Sequence, residues 1–450
     1  MVPEDIRLCD MKAYDPLVVT IGPYHYNKFK ESRTPQAMQD HKWHCVWRLL
    51  SKRTKSKPDE FNDLFSTCLK ILKLKDDFVR DCYSENLQRL KDDDLALIML
   101  LDGCFIIHVL LTFNGNLHPG DIYKEDDIAA GHEIDMEALK ARAEVINIDL
   151  RVDQRSKVWD TMLLDLVKVE NQMPFQIIEM LFDELKTPGD EDIDLVNIAD
   201  KLLSPLHPSY PSFTKVCFLT NSYNVRHLLD LFHSTLVPSD DYLRINKIKL
   251  TEHRLNHRMN SEIIWVPSAT ELQLTGVKFA EKKGRAISFL DISFTNGTIE
   301  IPKVRLHGAT STLFKNLIAF EQCDYLGIED NYVTAYAFFM DYMINASKDV
   351  ELFELEGIFH NQLGTPDHAA TLINQLCLQI RDRGDSYLQC SMNEVKIYYD
   401  SKWNKWWAGL IHDHFQNPWT IASLVAAVIL LLLTVEQSFF AAYSYFRPPS

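Results

Sequence analysis

Basic residues are in short supply. The chain has 47 Lys and Arg against 63 Asp and Glu, a formal charge of -16. Phosphate binding needs a dominant basic surface, so this balance argues against a nucleic-acid binder. Glycine is scarce too, 15 in 450 residues, which disfavours collagen-like, glycine-rich and low-complexity architectures. The nine cysteines include no Cys-x-x-Cys pair, and their number is odd. Neither a disulfide framework nor a zinc ribbon fits that pattern. Several thiols sit in apolar surroundings, as Cys104 does in Gly103-Cys104-Phe105-Ile106-Ile107, and read as buried and reduced. Residues 1–7 lack the apolar core of a signal peptide. Together these features predict a reducing, cytosolic setting for the bulk of the chain. Also missing are the phosphate-binding loop, the dinucleotide fingerprint, the G-x-S-x-G elbow and the kinase set.

What the chain does have is a terminal apolar run. Trp419 to Val435 carries no charge and would be roughly 25 Å long as a helix. A bilayer span needs about 20 apolar residues, with a lower limit near 17. Continuing past Glu436 to about Phe440 would reach the far interface. Trp403, Trp406, Trp407 and Phe415 precede the run, and Tyr443, Tyr445 and Phe446 follow it, as interfacial aromatic belts do. The competing reading is a buried core helix of a soluble domain. Lys396, Lys402 and Lys405 lie before the run and only Arg447 after it, which predicts a cytosolic N-terminal side. The basic stretch from Ser51 to Lys57 reads as a solvated helix end.

A length of 450 residues allows one large core or two to three domains. Helical periodicity covers most of the chain. Leu95 to Phe113 is apolar nearly all round and is expected to be the central buried helix, because Asp102 and His108 interrupt it. Further helices are expected over Met136 to Leu150, Val158 to Lys168, Pro174 to Leu185, Ile193 to Leu203 and Val350 to Phe359. The period changes near Ser261. Leu272 to Phe279 and Ile287 to Phe294 alternate, and Asn296-Gly297 reads as a hairpin turn into Ile299-Glu300-Ile301. The expected fold is therefore α+β, predominantly α-helical, with a small antiparallel sheet at about 272–301 and one C-terminal transmembrane helix. The expected division is a helical domain over 1–412, holding a β-subdomain at about 262–307, and an anchor with a short tail over 413–450.

Residues that carry chemistry are few. Glu170, in Glu170-Asn171-Gln172-Met173-Pro174, reads as a structural corner before a helix, since proline suits a first turn. Its rival role is a general acid or base. Asp102 and Glu321 sit in apolar helices, and a buried acid needs an ionic or hydrogen-bonding partner. His41, His44 and Cys45 share helical spacing, as do His253 and His257, but neither set has the glutamate of H-E-x-x-H and both read as surface histidines. No catalytic, cofactor-binding or metal residue is assigned, and no cofactor is expected.

Six segments in order resemble the plant domain of unknown function 247 (DUF247, UPF0481-like) family. They are Ile21-Gly22-Pro23-Tyr24-His25, Leu101-Asp102-Gly103-Cys104-Phe105, the Glu170 corner, Ala269 to Phe279, Phe314 to Glu321, and Phe415-Gln416-Asn417-Pro418-Trp419. Thr20 and His414 depart from the family's Ser and Tyr. The resemblance implies a membrane-associated plant protein of unknown biochemical activity. The expected role is interaction or recognition, with the bilayer as one partner through Trp419 to about Phe440, a protein as another, and no nucleic acid. An enzyme using a buried carboxylate is the alternative. Pollen–stigma self-incompatibility, in which grass members are implicated, is a further one.

Overall fold

The computed structural model describes residues 2–26, 33–55, 57–84, 87, 90–117, 157–209, 225–239, 241–246, 248, 266–284, 288–323, 331–380, 386–401 and 418–446. Two short helices, α1 (Glu4–Cys9) and α2 (Met11–Tyr14), open it, and an extended strap follows to residue 22. Next come α3 (Arg33–Thr54), α4 (Pro58–Leu74), α5 (Asp76–Asp81) and α6 (Asp92–Phe113). Three aspartates fill the first turn of α6, where the helix dipole favours negative charge. From residue 95 to 111 every α6 side chain but Leu97 is buried. A helix apolar on all faces is stable in water only when surrounded, and α3 and α4 supply part of that wall. The rest comes from α8 (Phe175–Leu185) and α9 (Leu195–Leu203), which follow α7 (Lys157–Leu166). Gly103 sets the closeness of α8: a Cβ there would stand 2.5 Å from Leu181 Cδ1. The expected central helix is thus the core of this half. The expected helix over 136–150 and the pair His253 and His257 lie outside the described residues.

The second half begins with α10 (Leu228–Ser234) and α11 (Ala269–Leu274). Here the alternation at Leu272 to Phe279 misleads. Ser268 and Glu271 form a capping box that starts α11, and such reciprocal capping fixes a helix N-terminus. Only Lys278–Glu281 (β1) is strand. Residues 288–292 form no strand either, because Asp291 accepts from the Ser288 N–H at 3.2 Å and from the Ser239 N–H at 2.9 Å. The short β2 (Ser293–Thr295) then turns through Asn296 and Gly297, at φ 50° and 78°, into β3 (Thr298–Ile301). Two successive positive φ values suit Asn-Gly and match the twist of a tight hairpin. That hairpin was legible; the sheet's character was not. β3 pairs antiparallel with β2 but parallel with β1, so the sheet is mixed rather than antiparallel. A second, two-stranded parallel sheet joins β4 (Val304–Leu306) to β5 (Phe359–Asn361), the latter beyond the expected 262–307 segment.

Between these strands run α12 (Thr310–Cys323), α13 (Tyr332–Met343) and α14 (Ser347–Leu355). The expected helix over 350–359 stops at Leu355, because Gly357 at φ 74° turns the chain into β5. α15 (Pro366–Asn374) and α16 (Gln389–Asp400) complete this half. One continuous apolar core reaches from Val19 to Val395 and includes Phe289, Ile299 and Ile301 of the β region. The last described element is α17 (Pro418–Phe446), 29 residues long. Every side chain described from 426 to 439 is exposed, Leu430, Leu431 and Leu432 each by more than 60%. Among the described residues the helix with the length and hydropathy of a span is α6, which is buried, while Ala426–Phe439 is apolar but shorter.

Candidate functional site

α7 ends at Leu166, and the chain turns tightly before α8 begins at Phe175. That corner grips the N-terminal strap. Asp165, fully buried, accepts from three consecutive backbone N–H groups: Leu17 at 3.0 Å, Val18 at 2.6 Å and Val19 at 3.0 Å. Lys168, also buried, pairs with Asp165 at 3.0 Å and donates to the Asp15 carbonyl at 2.5 Å. Asn171 accepts from the Ile21 N–H at 2.6 Å and donates to the carbonyls of Val19 and Asp165. Glu170 accepts from the Val2 N–H at 3.0 Å and forms an ion pair with Arg7. On α12, Asn316 accepts from the Val169 N–H and donates to the Ala13 carbonyl, and Lys315 pairs with Asp10 at 2.7 Å.

Gly22 closes the strap. Its N–H donates to Asp102 at 2.7 Å, and at φ 75° a Cβ would stand 2.5 Å from the Gln172 carbonyl oxygen. Only glycine allows both the left-handed backbone and that approach. Gln172 donates to the carbonyls of Leu166 and Lys168 at 2.8 and 2.7 Å, and accepts from the Leu229 N–H at the start of α10. An orphan helix donor is thereby satisfied across 57 residues of sequence. Gln172→Ala is expected to lower unfolding stability by about 1–3 kcal/mol, since it strands the buried Leu229 N–H and removes the amide donor shared by the Leu166 and Lys168 carbonyls. Urea denaturation checks it; a loss below ~0.5 kcal/mol would count against the corner.

The three acids singled out from sequence all prove to be ties. Asp102 pairs with buried Lys42 at 2.5 Å. Burial pushes its carboxyl up from the ordinary value, against the pull of Lys42 and the Gly22 N–H. Glu321 caps α13 from outside: it accepts from the N–H groups of Val333 at 2.9 Å and Thr334 at 2.7 Å, and faces His233 at 2.8 Å. Asp102 meets the strap through Gly22, Glu170 holds the segment before it through Val2 and through Arg7 of α1, and Glu321 serves α10 and α13. Glu170 also lines a cleft of ≈ 130 Å³ with Tyr24, Tyr83, Val169, Gln172 and His227. That volume is well below the roughly 300–1,000 Å³ of small-molecule pockets.

The histidines read as surface residues need correction. His41 and Cys45, one turn apart on α3, are buried, and His108 of α6 joins them. Their ligand atoms all lie within 4.8 Å of one another. Cys45 Sγ is 3.5 Å from His41 Nε2, and Arg48 Nη1 is 3.4 Å from His108 Nε2. His44 stays half-buried, its ring stacked 6.0 Å from that of His41. Burial, with help from Arg48 and neighbouring histidines, pushes His41 down to about 4 and His108 well below the ordinary range. Sequence spacing found His41 and Cys45 but treated His108 only as an interruption of an apolar helix. The missing signal was the packing of α3 on α6.

A helical body with two small sheets, laced together by a polar corner that uses its buried acids as ties, is the class of protein these features define. The chain belongs to DUF247, a family of plant proteins of unknown function, which matches over residues 1–433. It is similar to the UPF0481 protein At3g47200 of Arabidopsis thaliana, 29% identical over 456 residues, covering 99% of this chain and 86% of that one. It is also similar to the putative UPF0481 protein At3g02645 of Arabidopsis thaliana, 26% identical over 185 residues, 41% of this chain and 35% of that one. No solved structure matches the chain.

Proposed function

We propose that this protein is a membrane-tethered interaction protein, anchored by α17 with its helical body on the cytosolic side. The observation that carries the reading is the exposure of α17. Val428 to Leu433, Val435 and Phe439 are each about half exposed or more, and a contiguous apolar surface of that kind calls for a partner or a bilayer. The 29-residue helix would be roughly 43 Å long, enough to cross a hydrocarbon core of about 30 Å with its aromatic ends at the interfaces. The lysine excess before the run supports the cytosolic placement of the body. The thiols support it too, since Cys9, Cys45, Cys68, Cys82 and Cys104 are free thiols. The binding role rests on the fate of the acids. Asp102, Glu170 and Glu321 are each held by backbone donors and a cation or histidine, which weighs against the enzyme reading.

The test uses the full chain tagged at each end. In sealed membranes the N-terminal tag should be digested by added protease. Asn296 and Asn345, both in glycosylation acceptor sequences, should carry no sugar. The double variant Leu430→Arg/Leu432→Arg should move the protein to the soluble fraction, since each central arginine costs about 2.5–3.5 kcal/mol on insertion scales. A protected N-terminal tag would reverse the topology, and an unchanged membrane fraction in the arginine variant would remove the anchor.

A further inference from the structure

The cluster between α3 and α6 has the chemistry of a metal site. His41 and Cys45 project from the same face of α3, one turn apart, and His108 meets them from α6. Both helices belong to the rigid core, so the three donors are held without the help of a loop. With metal–sulfur and metal–nitrogen distances of about 2.3 and 2.0–2.1 Å, a sulfur and a nitrogen on one ion stand about 3.6–3.8 Å apart. The observed Cys45 Sγ to His41 Nε2 separation is 3.5 Å. A thiol–imidazole hydrogen bond accounts for that pair alone. It does not bring in His108, whose ligand atom reaches the same cluster from α6 within 4.8 Å, beside its contact with Arg48 at 3.4 Å.

The donor set and its surroundings select the ion. One thiolate and two imidazoles form a soft set, suited to Cu(I) or zinc. The charged groups that bear on these three side chains are Arg48 and Lys42, with His44 beside them. No carboxylate acts on them among the described residues. With the Cys45 proton released to solvent, Cu(I) gives a site of zero net charge, whereas zinc leaves one positive charge buried beside Arg48. An uncompensated buried charge is strongly disfavoured. We propose that His41, Cys45 and His108 form a three-coordinate Cu(I) site, with half-buried His44 as the polar route from solvent. The proposal stands apart from the membrane reading, since it uses neither α17 nor a partner.

The test takes the full-length protein, stripped with chelator under anaerobic conditions, and titrates it with Cu(I) and separately with zinc in the presence of competing chelators. The expected result is one equivalent of Cu(I) per chain, held more tightly than zinc. X-ray absorption should find one sulfur and two nitrogen neighbours. Loss of a supporting outer-shell partner typically weakens metal binding by about 10–100-fold, so removing a ligand should exceed that. Cys45→Ser and His108→Leu should each weaken Cu(I) binding by more than about 100-fold on that scale. Cys68→Ala, which removes a neighbouring buried thiol, should leave it unchanged. Circular dichroism verifies that each variant folds. Where one does not, the wild-type absorption spectrum decides. Absence of stoichiometric copper, a spectrum without sulfur, or full binding by both ligand variants would overturn the site. Zinc held more tightly than copper would overturn the choice of ion.

Discussion

Replacing Asp165 by alanine is expected to cost about 3–5 kcal/mol of unfolding stability, the scale of breaking a buried ion pair from one side. The reasoning is local. Asp165 is fully buried and accepts from three successive N–H groups of the strap, while Lys168 beside it is 1% exposed. Alanine leaves the lysine charge without its carboxylate and the strap donors without an acceptor. Asp165→Asn keeps the shape and one acceptor oxygen, so its loss should be smaller. Urea denaturation of the two variants against wild type makes the measurement. A loss under ~1 kcal/mol for alanine would mean that water or another side chain replaces the carboxylate, and the strap is then held by other means. Limited proteolysis should also cut earlier within residues 15–21 of the alanine variant.

Acidification should weaken the fold well above the range in which carboxylates titrate. His41 is pushed down to about 4, chiefly by burial, and His108 and His44 are lowered for the same reason. In the unfolded chain each would titrate near 6.5. Between about pH 4 and 6.5 the unfolded chain therefore binds more protons than the folded one, and stability rises with pH across that window. Read downwards, the stabilisation is complete above about pH 6.5 and is lost as pH falls toward 4. His41 alone accounts for about 3 kcal/mol over that interval, at ~1.4 kcal/mol per unit. Asp230 acts lower. Burial pushes it up, but the bonds from Arg226 bring it net below the ordinary value, so its contribution is lost only below about pH 4. Urea midpoints of the chelated protein at pH 7 and pH 5 check the sign. His41→Leu should flatten the dependence, and an equally steep one in that variant would assign it elsewhere.

How much of this could be read beforehand follows from range. Signals carried within a few residues were legible: the all-round hydrophobicity of α6, the proline before α8, the Asn-Gly turn. The capping box at Ser268 and Glu271 was equally local but was masked by an alternation that suits a strand. Whether β1 joins its sheet parallel or antiparallel depends on chain direction after 16 intervening residues, which no short pattern encodes. The acids were recognised as needing partners, yet the partners lie far off in sequence: Lys42 for Asp102, Arg7 and Val2 for Glu170, His233 for Glu321. His108 was hidden for the same reason, since its neighbours on α3 lie 60 or more positions earlier.

The stitching of the strap also sets a timetable for synthesis. Asp10 and Ala13 leave the ribosome about 300 residues before Lys315 and Asn316, which fasten them. At about 5–20 residues per second, those fasteners emerge some 15–60 s later. Val19 and Ile21 meet their acceptors sooner, since Asp165 and Asn171 emerge about half-way through that interval. The half built around α6 can therefore take up the strap first, and the contacts of Asp10 and Ala13 with α12 are locked in later.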